Sequence, residues 1–308
     1  MNELEQRRWK NQVLEFALAA FAAAEPLHTA LIFKGARILN LRLGDTAARE
    51  SFDLDSNLDI HCATAHPGKA ERRDFLDRES SLALKRHIAR QDPACFRFKS
   101  VKTELNPPRD NHPFDWTGFT VKIGLLDNGN PAVLNTPAAE IDIAAPESLG
   151  EGVVSPLELR NGLLVQAYTL ERIAGEKMRA FLSSLSAYRA KIGRRPDTPR
   201  HKDLYDLARI RRRFEIADNA LWRTAGREFR LACESRYVDC AGIETFAEDL
   251  GTTRQIYEAD PTLPKDIPFV EAWATVQAAV ELFMGFGIIP FAFPIPEGHF
   301  QLAHAKAE

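Results

Sequence analysis

The stretch SFDLDSNLDI, residues 51–60, alternates apolar and polar side chains and predicts a β-strand, which we place over residues 52–63. Successive side chains of a strand point to opposite faces, so Ser51, Asp53 and Asp55 share one face. Adjacent carboxylates repel each other unless they share a cation or face open water. Because carboxylate oxygens suit Mg²⁺, this D-x-D pair is a candidate metal site; the alternative is an exposed strand face that carries acids.

A second segment upstream has the character of a phosphate-binding turn. TALIF, residues 29–33, predicts a short buried strand that runs into Lys34-Gly35 and then into a helix over residues 36–43. Glycine permits close approach of a phosphate, and a helix N-terminus offers free N–H donors. The signal is weak by itself, because many strand-to-helix turns contain glycine.

A third segment downstream adds another acid. AEIDIAA, residues 139–145, predicts a short strand in which Asp142 alternates with apolar residues. Strand pairing places Asp142 beside Asp53 and Asp55 as a candidate third carboxylate. The alternative is an acid at a strand end in solvent.

Composition indicates a globular protein with one large domain or two. The chain has 308 residues, of which 45% are hydrophobic and 27% charged, and a net charge of -3, so any nucleic-acid-binding surface must be local. No secretory signal is visible, and the apolar run 282–294 is too short to span a bilayer; we expect a cytoplasmic protein without a membrane partner. The cysteines lack metal or disulfide spacing and are expected to be reduced thiols: Cys62, Cys95, Cys233 and Cys240.

Secondary-structure patterns divide the chain near residue 150. Besides the segments above, residues 3–24 and 69–90 predict helices, and three further strands are predicted over 95–104, 117–126 and 138–144. Beyond the boundary, helical patterns dominate over 156–166, 170–191, 201–214, 218–234 and 268–284. We therefore expect an α/β domain over residues 1–150 and a helical domain over residues 151–308.

The order of strand, glycine turn, helix, D-x-D strand and distant aspartate resembles the layout of polymerase-β-type nucleotidyltransferases. With YTLERIAGEKMRA (168–180) and RHKDLYDL (200–207), residues 28–210 resemble the AbiEii/AbiGii group of nucleotidyltransferase toxins, whose relatives include the mycobacterial MenT toxins. The resemblance implies an α+β fold: a polymerase-β-like nucleotidyltransferase domain with a mixed sheet, followed by a helical C-terminal domain that completes the active site.

The resemblance assigns roles to the N-terminal motifs. Lys34-Gly35 matches the first motif, although Ala36-Arg37 replaces the usual Gly-Thr or Gly-Ser and leaves Arg37 as a charged phosphate contact. Ser51, Asp53 and Asp55 match the Ser-x-Asp-x-Asp motif without departure. The nucleotide and its metal are therefore expected on these residues.

The later motifs supply the remaining expected site residues. The resemblance implies that Asp142 is the third metal-binding and catalytic carboxylate. The Glu-Lys motif falls on Glu176-Lys177, where Lys177 is expected to reach the nucleotide phosphates; without the resemblance this pair is part of a solvated helix face. The last motif falls on Lys202, Asp203 and Asp206: Asp203 is the closer match to the acid required for activity, and Asp206 is expected among the residues that bind the nucleotide.

The implied reaction transfers a nucleoside monophosphate from an NTP to an acceptor, with Mg²⁺ on Asp53, Asp55 and Asp142. In characterised relatives the acceptor is the 3′ end of tRNA, and a cognate antitoxin neutralises the toxin.

A local basic run agrees with an RNA acceptor. Ten Lys or Arg residues lie between positions 185 and 213, so we expect tRNA to contact residues 189–213: Arg189, Lys191, Arg194, Arg195, Arg200, Lys202, Arg209, Arg211, Arg212 and Arg213. Three alternatives stay open: transfer to a small molecule, transfer to a protein, and a non-catalytic nucleotide- or RNA-binding module.

Overall fold

A seven-stranded mixed sheet is the centre of the molecule in a computed structural model that describes residues 1–44, 51, 53–107, 116–131, 133–218 and 220–299. In these ranges the strands are β1 (Leu31–Lys34), β2 (Leu54–Leu58), β3 (Phe96–Asn106), β4 (Gly118–Asp127), β5 (Ala139–Ala144), β6 (Val154–Glu158) and β7 (Leu164–Tyr168). Their spatial order is β3-β4-β5-β2-β1-β7-β6. The pairs β2–β5 and β1–β7 are parallel, whereas the other neighbours are antiparallel.

Helices surround this sheet. The first five are α1 (Glu3–Ala22), α2 (Glu25–Ala30), α3 (Gly35–Leu43), α4 (Ile60–Ala65) and α5 (Lys69–Ala89). The remainder follow the last strand: α6 (Leu170–Leu182), α7 (Ser186–Lys191), α8 (His201–Arg213), α9 (Ala220–Glu234), α10 (Ile243–Ala247), α11 (Leu250–Ala259) and α12 (Phe269–Gly285). No α-helix among the described residues combines the length and apolar character needed to cross a membrane.

The N-terminal helices cover one face of the sheet. Helix α1 begins with a capping box in which Asn2 and Glu5 exchange hydrogen bonds of 2.9 and 2.8 Å. Helices α1 and α5 pack on β5 and β3, and the alternation of β4 turns Val121 and Ile123 into this core, where both are fully buried. The other face of β3, β4 and β5 carries the polar residues, including those of the candidate site.

The helical region packs through a close approach of α6 and α9. A Cβ atom at Gly175 would lie 2.6 Å from both the Ala225 carbonyl oxygen and the Phe229 amide nitrogen, so only glycine fits there. Trp222 and Phe229 on α9 are fully buried beside this contact. The close packing holds α6, and with it the second half of the site, in a fixed position.

Three secondary-structure predictions are wrong in detail. The helix predicted over 156–166 is instead the hairpin of β6 and β7, because Gly162 (φ +78°) closes a turn and β7 pairs with β1. The helix predicted over 170–191 is divided between α6 and α7. The strand predicted to reach residue 63 ends at Leu58, because the Asp59 carboxylate accepts the His61 N–H at 2.8 Å and caps α4.

The predicted α+β class with a mixed sheet is confirmed. The sheet continues beyond residue 150 to Tyr168. The division into domains 1–150 and 151–308 stays a prediction.

Candidate active site

Strand register aligns four polar residues in one row across the sheet. Lys34 of β1 lies opposite Asp55 of β2, Asp55 opposite Asp142 of β5, and Asp142 opposite Thr120 of β4. Side chains at paired positions of neighbouring strands point to the same face. Two of the carboxylates expected from the sequence therefore lie on adjacent strands with a lysine beside them.

This row forms the floor of a cavity of about 360 Å³. The helical region supplies one wall through Arg194, and the loop before β4 supplies another through Trp116. The lining residues are Lys34, Asp55, Ser56, Asn106, Pro107, Trp116, Gly118, Asp142, Ile143, Ala144 and Arg194. The cavity is therefore polar at its floor and cationic on two sides.

Gly35 allows the Asp55 carboxylate to rest against the start of α3. Gly35 has φ +77°, and a Cβ atom there would lie only 2.1 Å from Asp55 Oδ2. Both the left-handed backbone and the lack of space require glycine. The turn predicted to receive a phosphate thus also fixes the place of Asp55.

Asp55 is a carboxyl group whose charge is poorly compensated. Its pKa is raised from 3.8 to about 6: burial is the largest cause, Lys34 and Arg200 lower the pKa, and the negative charges of Asp53 and Glu176 raise it. A carboxylate in such surroundings binds a cation readily, because the cation removes the cost of its charge.

Asp142 is held by two donors on its other side. Thr120 Oγ1 donates to Asp142 Oδ1 at 2.7 Å, and Asn106 Nδ2 donates to the same oxygen at 3.3 Å. These hydrogen bonds fix the orientation of the carboxylate.

Lys34 reaches from β1 to the helical region. Its Nζ donates to Glu176 Oε1 at 2.5 Å, and both side chains are nearly buried. The same ammonium group lies 5.8 Å from the ring centre of Tyr168, whose hydroxyl accepts a hydrogen bond from Asn57 Nδ2 at 2.7 Å. Lys34 is therefore a fixed cation at the cavity.

Lys177 lies behind the cavity wall, buried between two aspartates. Its Nζ donates to Asp203 Oδ1 at 2.9 Å and to Asp206 Oδ2 at 2.6 Å. Arg200 Nε donates to Asp203 Oδ2 at 2.7 Å. Burial alone would raise the pKa of Asp203, but Arg200 and Lys177 hold it well below its usual range. This network joins α6 to α8 and fixes Arg200 near Asp55.

The remaining expected residues surround the D-x-D strand. Arg37 is buried and its Nη2 donates to Asn11 Oδ1 at 2.6 Å and to the Ser51 carbonyl oxygen at 2.8 Å, away from the cavity lining. Ser51 Oγ donates to the Asp53 carbonyl oxygen at 3.2 Å, and the Asp53 side chain is exposed. Arg37 thus anchors the segment that leads into β2.

Comparison with known proteins identifies the family. A family model described as nucleotidyl transferase AbiEii toxin, type IV TA system, matches residues 17–275. The chain belongs to the AbiEii family. The suspected family and the predicted nucleotidyltransferase activity are thereby confirmed, as is membership of a toxin–antitoxin family. No curated protein matches the chain.

A solved structure supports the fold of this AbiEii-family chain. MenT4, a nucleotidyltransferase toxin from Mycobacterium tuberculosis H37Rv, is similar over 92% of this chain and 86% of its own, with 14% sequence identity and a TM-score of 0.51. At this identity the similarity shows the fold.

The donor set of the AbiEii-family site fits Mg²⁺ in part. Within the described ranges, no group of three or more His, Cys, Asp or Glu side chains has the arrangement of a metal site. Asp55 and Asp142, however, are paired in register at the cavity floor. Mg²⁺ is commonly held by one or two carboxylates together with substrate phosphates and water, so the two suffice when a nucleotide supplies the rest.

Sequence reasoning missed the residues that orient the carboxylates. Thr120 and Asn106 bind Asp142 from β4 and β3, across 22 and 36 residues of chain. Glu176 was assigned to the Glu-Lys motif without a role, and the structure pairs it with Lys34. One sequence feature could have pointed to Thr120: it lies on the polar face of a strand whose apolar and polar residues alternate.

Proposed function

We propose that the chain is a Mg²⁺-dependent enzyme that transfers a nucleoside monophosphate from an NTP to the 3′ end of tRNA. The observation that carries this proposal is the row of Lys34, Asp55 and Asp142 at the cavity floor. It combines two carboxylates for a divalent cation with a lysine for a phosphate. The toxin–antitoxin family implies a cognate antitoxin as a partner, and we propose that the protein acts in the cytoplasm.

The carboxylates divide the proposed chemistry between them. Asp55 on β2 and Asp142 on β5 would hold Mg²⁺, and Asp53, just before β2, is the third proposed metal-binding carboxylate. When bound, the ion would supply charge stabilisation for the phosphates and would make an acceptor hydroxyl more acidic. Asp142 accepts the proton of the ribose hydroxyl. The hydroxyl oxygen then forms a bond to the α-phosphorus while the bond to the pyrophosphate oxygen breaks.

Fixed cations and the glycine turn position the triphosphate. Lys34 and Arg194 line the cavity and offset phosphate charge, and Gly35 brings the start of α3 against Asp55. Ser51 and Arg37 hold the segment that precedes β2. The proposed role of this region is therefore orientation and charge stabilisation, as in other phosphoryl transfers.

Lys177, Asp203 and Asp206 support the site from behind. Their ion pairs fix Arg200, which lies close enough to Asp55 to lower its pKa. In this proposal Lys177 acts on the phosphates through Arg200, and Asp203 contributes to activity by holding the Arg200 guanidinium.

The basic run 189–213 divides into a part near the cavity and a part away from it. Arg194 lines the cavity, and Arg195 and Arg200 are exposed in the same loop. In contrast, Arg209 is buried against Asn40, and Arg212 is paired with Asp266 and Glu271. We therefore assign the tRNA contact of this run to the loop between α7 and α8.

A labelling assay tests the proposed reaction. Purified protein with Mg²⁺ is given each α-labelled NTP and total cellular RNA, beside Asp55→Asn and Asp142→Asn. Asp74→Asn, an exposed acid on α5, is the matched control. We expect a labelled tRNA-sized band with the wild type and the control, and none with the site variants.

Other outcomes of this assay select among the alternatives. Label on protein or on a small molecule would retain nucleotidyl transfer and reject the RNA acceptor. If the protein binds NTP but labels no RNA, protein or small molecule, the result would favour the non-catalytic binding module.

A further inference from the structure

Lys34 already has an anionic partner in the structure, although the proposed reaction uses its charge for a phosphate. Its Nζ donates to Glu176 Oε1 at 2.5 Å, and the two side chains are only 12% and 13% exposed. A lysine and a carboxylate in direct contact largely cancel each other's charge, and the carboxylate repels an incoming triphosphate. A second cation that draws Glu176 away would therefore make Lys34 available.

Arg179 is placed to be that second cation. It follows Glu176 by one turn of α6, and its Nη2 lies 3.4 Å from Oε1, the same oxygen that Lys34 contacts. Its hydrogen bond from Nη1 to Ser183 Oγ is also long, at 3.5 Å, and its Nε is buried with no hydrogen-bond partner among the described residues. A guanidinium group with such poorly used donors gains from a closer carboxylate.

Other arginines near Glu176 are already closely paired. Arg172 and Arg200 lie within electrostatic reach of the Glu176 carboxylate. Arg172, however, is held at 2.9 and 3.1 Å by two buried glutamates, and Arg200 donates to Asp203 at 2.7 Å. Arg179 is therefore the arginine with the most capacity to take up Glu176.

We propose that Arg179 is a positioning residue for NTP binding: when the triphosphate reaches Lys34, the Glu176 carboxylate changes its partner from Lys34 to Arg179. Lys34 and Arg179 carry two positive charges against the one negative charge of Glu176, so the exchange leaves the Lys34 charge to the phosphates. It also moves a carboxylate away from an anionic substrate. This inference rests on the proposed NTP site and identifies the residue that frees its lysine.

A double-mutant cycle on NTP binding tests the exchange. The wild type, Arg179→Met, Glu176→Gln and the double variant are titrated with each NTP and Mg²⁺ by isothermal titration calorimetry, without an acceptor. Arg254→Met is the matched control, because Arg254 is an exposed helical arginine that is ion-paired with Glu258. Urea titration shows which variants are folded, and Arg179→Gln replaces Arg179→Met if the latter does not fold.

We expect Arg179→Met to bind NTP at least about 10-fold more weakly, because Glu176 then has Lys34 as its closest cation; this is the lower end of the effect of a hydrogen bond to a charged group. Glu176→Gln should bind NTP at least as tightly as the wild type, because no carboxylate competes for Lys34. The double variant should match Glu176→Gln, and the Arg254 control should match the wild type. In transfer assays Arg179→Met should raise the KM for NTP and leave kcat unchanged.

Three results would overturn the inference. An equal loss when Arg179→Met is added to Glu176→Gln would show that Arg179 acts independently of Glu176, as it would by contacting the phosphates itself. Unchanged NTP binding by Arg179→Met would show that the guanidinium group does not draw Glu176 away. Weaker NTP binding by Glu176→Gln would show that Glu176 does not compete for Lys34.

The outcomes separate this exchange from the proposed transfer reaction. A wild type that binds NTP with the expected cycle but labels no RNA would reject the transfer to RNA and retain the exchange. RNA labelling by a wild type whose Arg179→Met variant binds NTP equally well would do the reverse. A wild type that neither binds NTP nor labels RNA would reject both.

Discussion

Replacing Gly35 by alanine places a methyl group against the Asp55 carboxylate. The added Cβ would lie 2.1 Å from Asp55 Oδ2, whereas ordinary contact begins at 3.4 Å, so the carboxylate must move by more than an ångström. The backbone at φ +77° adds a cost of about 1–2 kcal/mol for any residue with a Cβ. The change therefore affects both stability and the position of one catalytic group.

Gly152 provides a control that separates the two effects. It has φ +72° and is exposed, and a Cβ atom added there would meet no other atom within 4 Å. Gly152→Ala should therefore lower the free energy of unfolding by the same backbone cost of about 1–2 kcal/mol and leave transfer unchanged. Urea titrations of both variants measure this cost.

The transfer rates of the two variants show whether the contact between Gly35 and the Asp55 carboxylate positions Asp55 for catalysis. A displacement of about 1 Å in a catalytic group costs about 100-fold in rate, so Gly35→Ala should transfer labelled nucleotide at least about 100-fold more slowly than Gly152→Ala. Nucleotide transfer is measured at a temperature where both variants are folded. Equal rates in the two alanine variants would refute the proposed positioning of Asp55 by Gly35.

Three further changes test burial and pairing around the site. Asp55→Asn should raise the free energy of unfolding by about 1–3 kcal/mol above pH 6, because folding raises the pKa of this half-buried group from 3.8 to about 6 and the ionised form is the costly one. The gain should fade in melts as the pH falls towards 4. Lys177→Met removes the ammonium group shared by Asp203 and Asp206 and should cost about 3 kcal/mol in urea titration. Gly175→Ala places a methyl group 2.6 Å from the α9 backbone and should cost at least about 2 kcal/mol by the same titration. For each variant, a free energy of unfolding equal to that of the wild type would contradict the effect expected from its surroundings.

The carboxylate row is largely predictable from local patterns. Asp55 and Asp142 each alternate with apolar residues in a short strand, and alternation alone determines which face they share with their neighbours. Pairing of the two strands follows from the family layout. The sequence also predicts that another group comes close to the backbone at Gly35. Only the structure shows that this group is a carboxylate oxygen of Asp55.

The less predictable features depend on partners that are distant along the chain. The apolar residues of 156–166 fit a helix, and only the pairing of β7 with β1 makes Leu164–Tyr168 a strand. Lys177 lies on the buried side of α6, but its sequence neighbourhood does not show that two aspartates of α8 meet it there. Similarly, only the strand register places Thr120 where it can donate a hydrogen bond to Asp142.

Metal binding by the site variants tests the shared site of Asp55 and Asp142 most directly. Mn²⁺, a spectroscopic substitute for Mg²⁺, is titrated by electron paramagnetic resonance in the presence of each NTP, with Asp74→Asn as the control. We predict that the wild type and the control bind Mn²⁺ with at least one NTP, and that Asp55→Asn and Asp142→Asn each bind it at least about 100-fold more weakly, a loss of about 2.7 kcal/mol. Binding by Asp142→Asn as tight as that of the wild type would contradict a site shared by these two carboxylates.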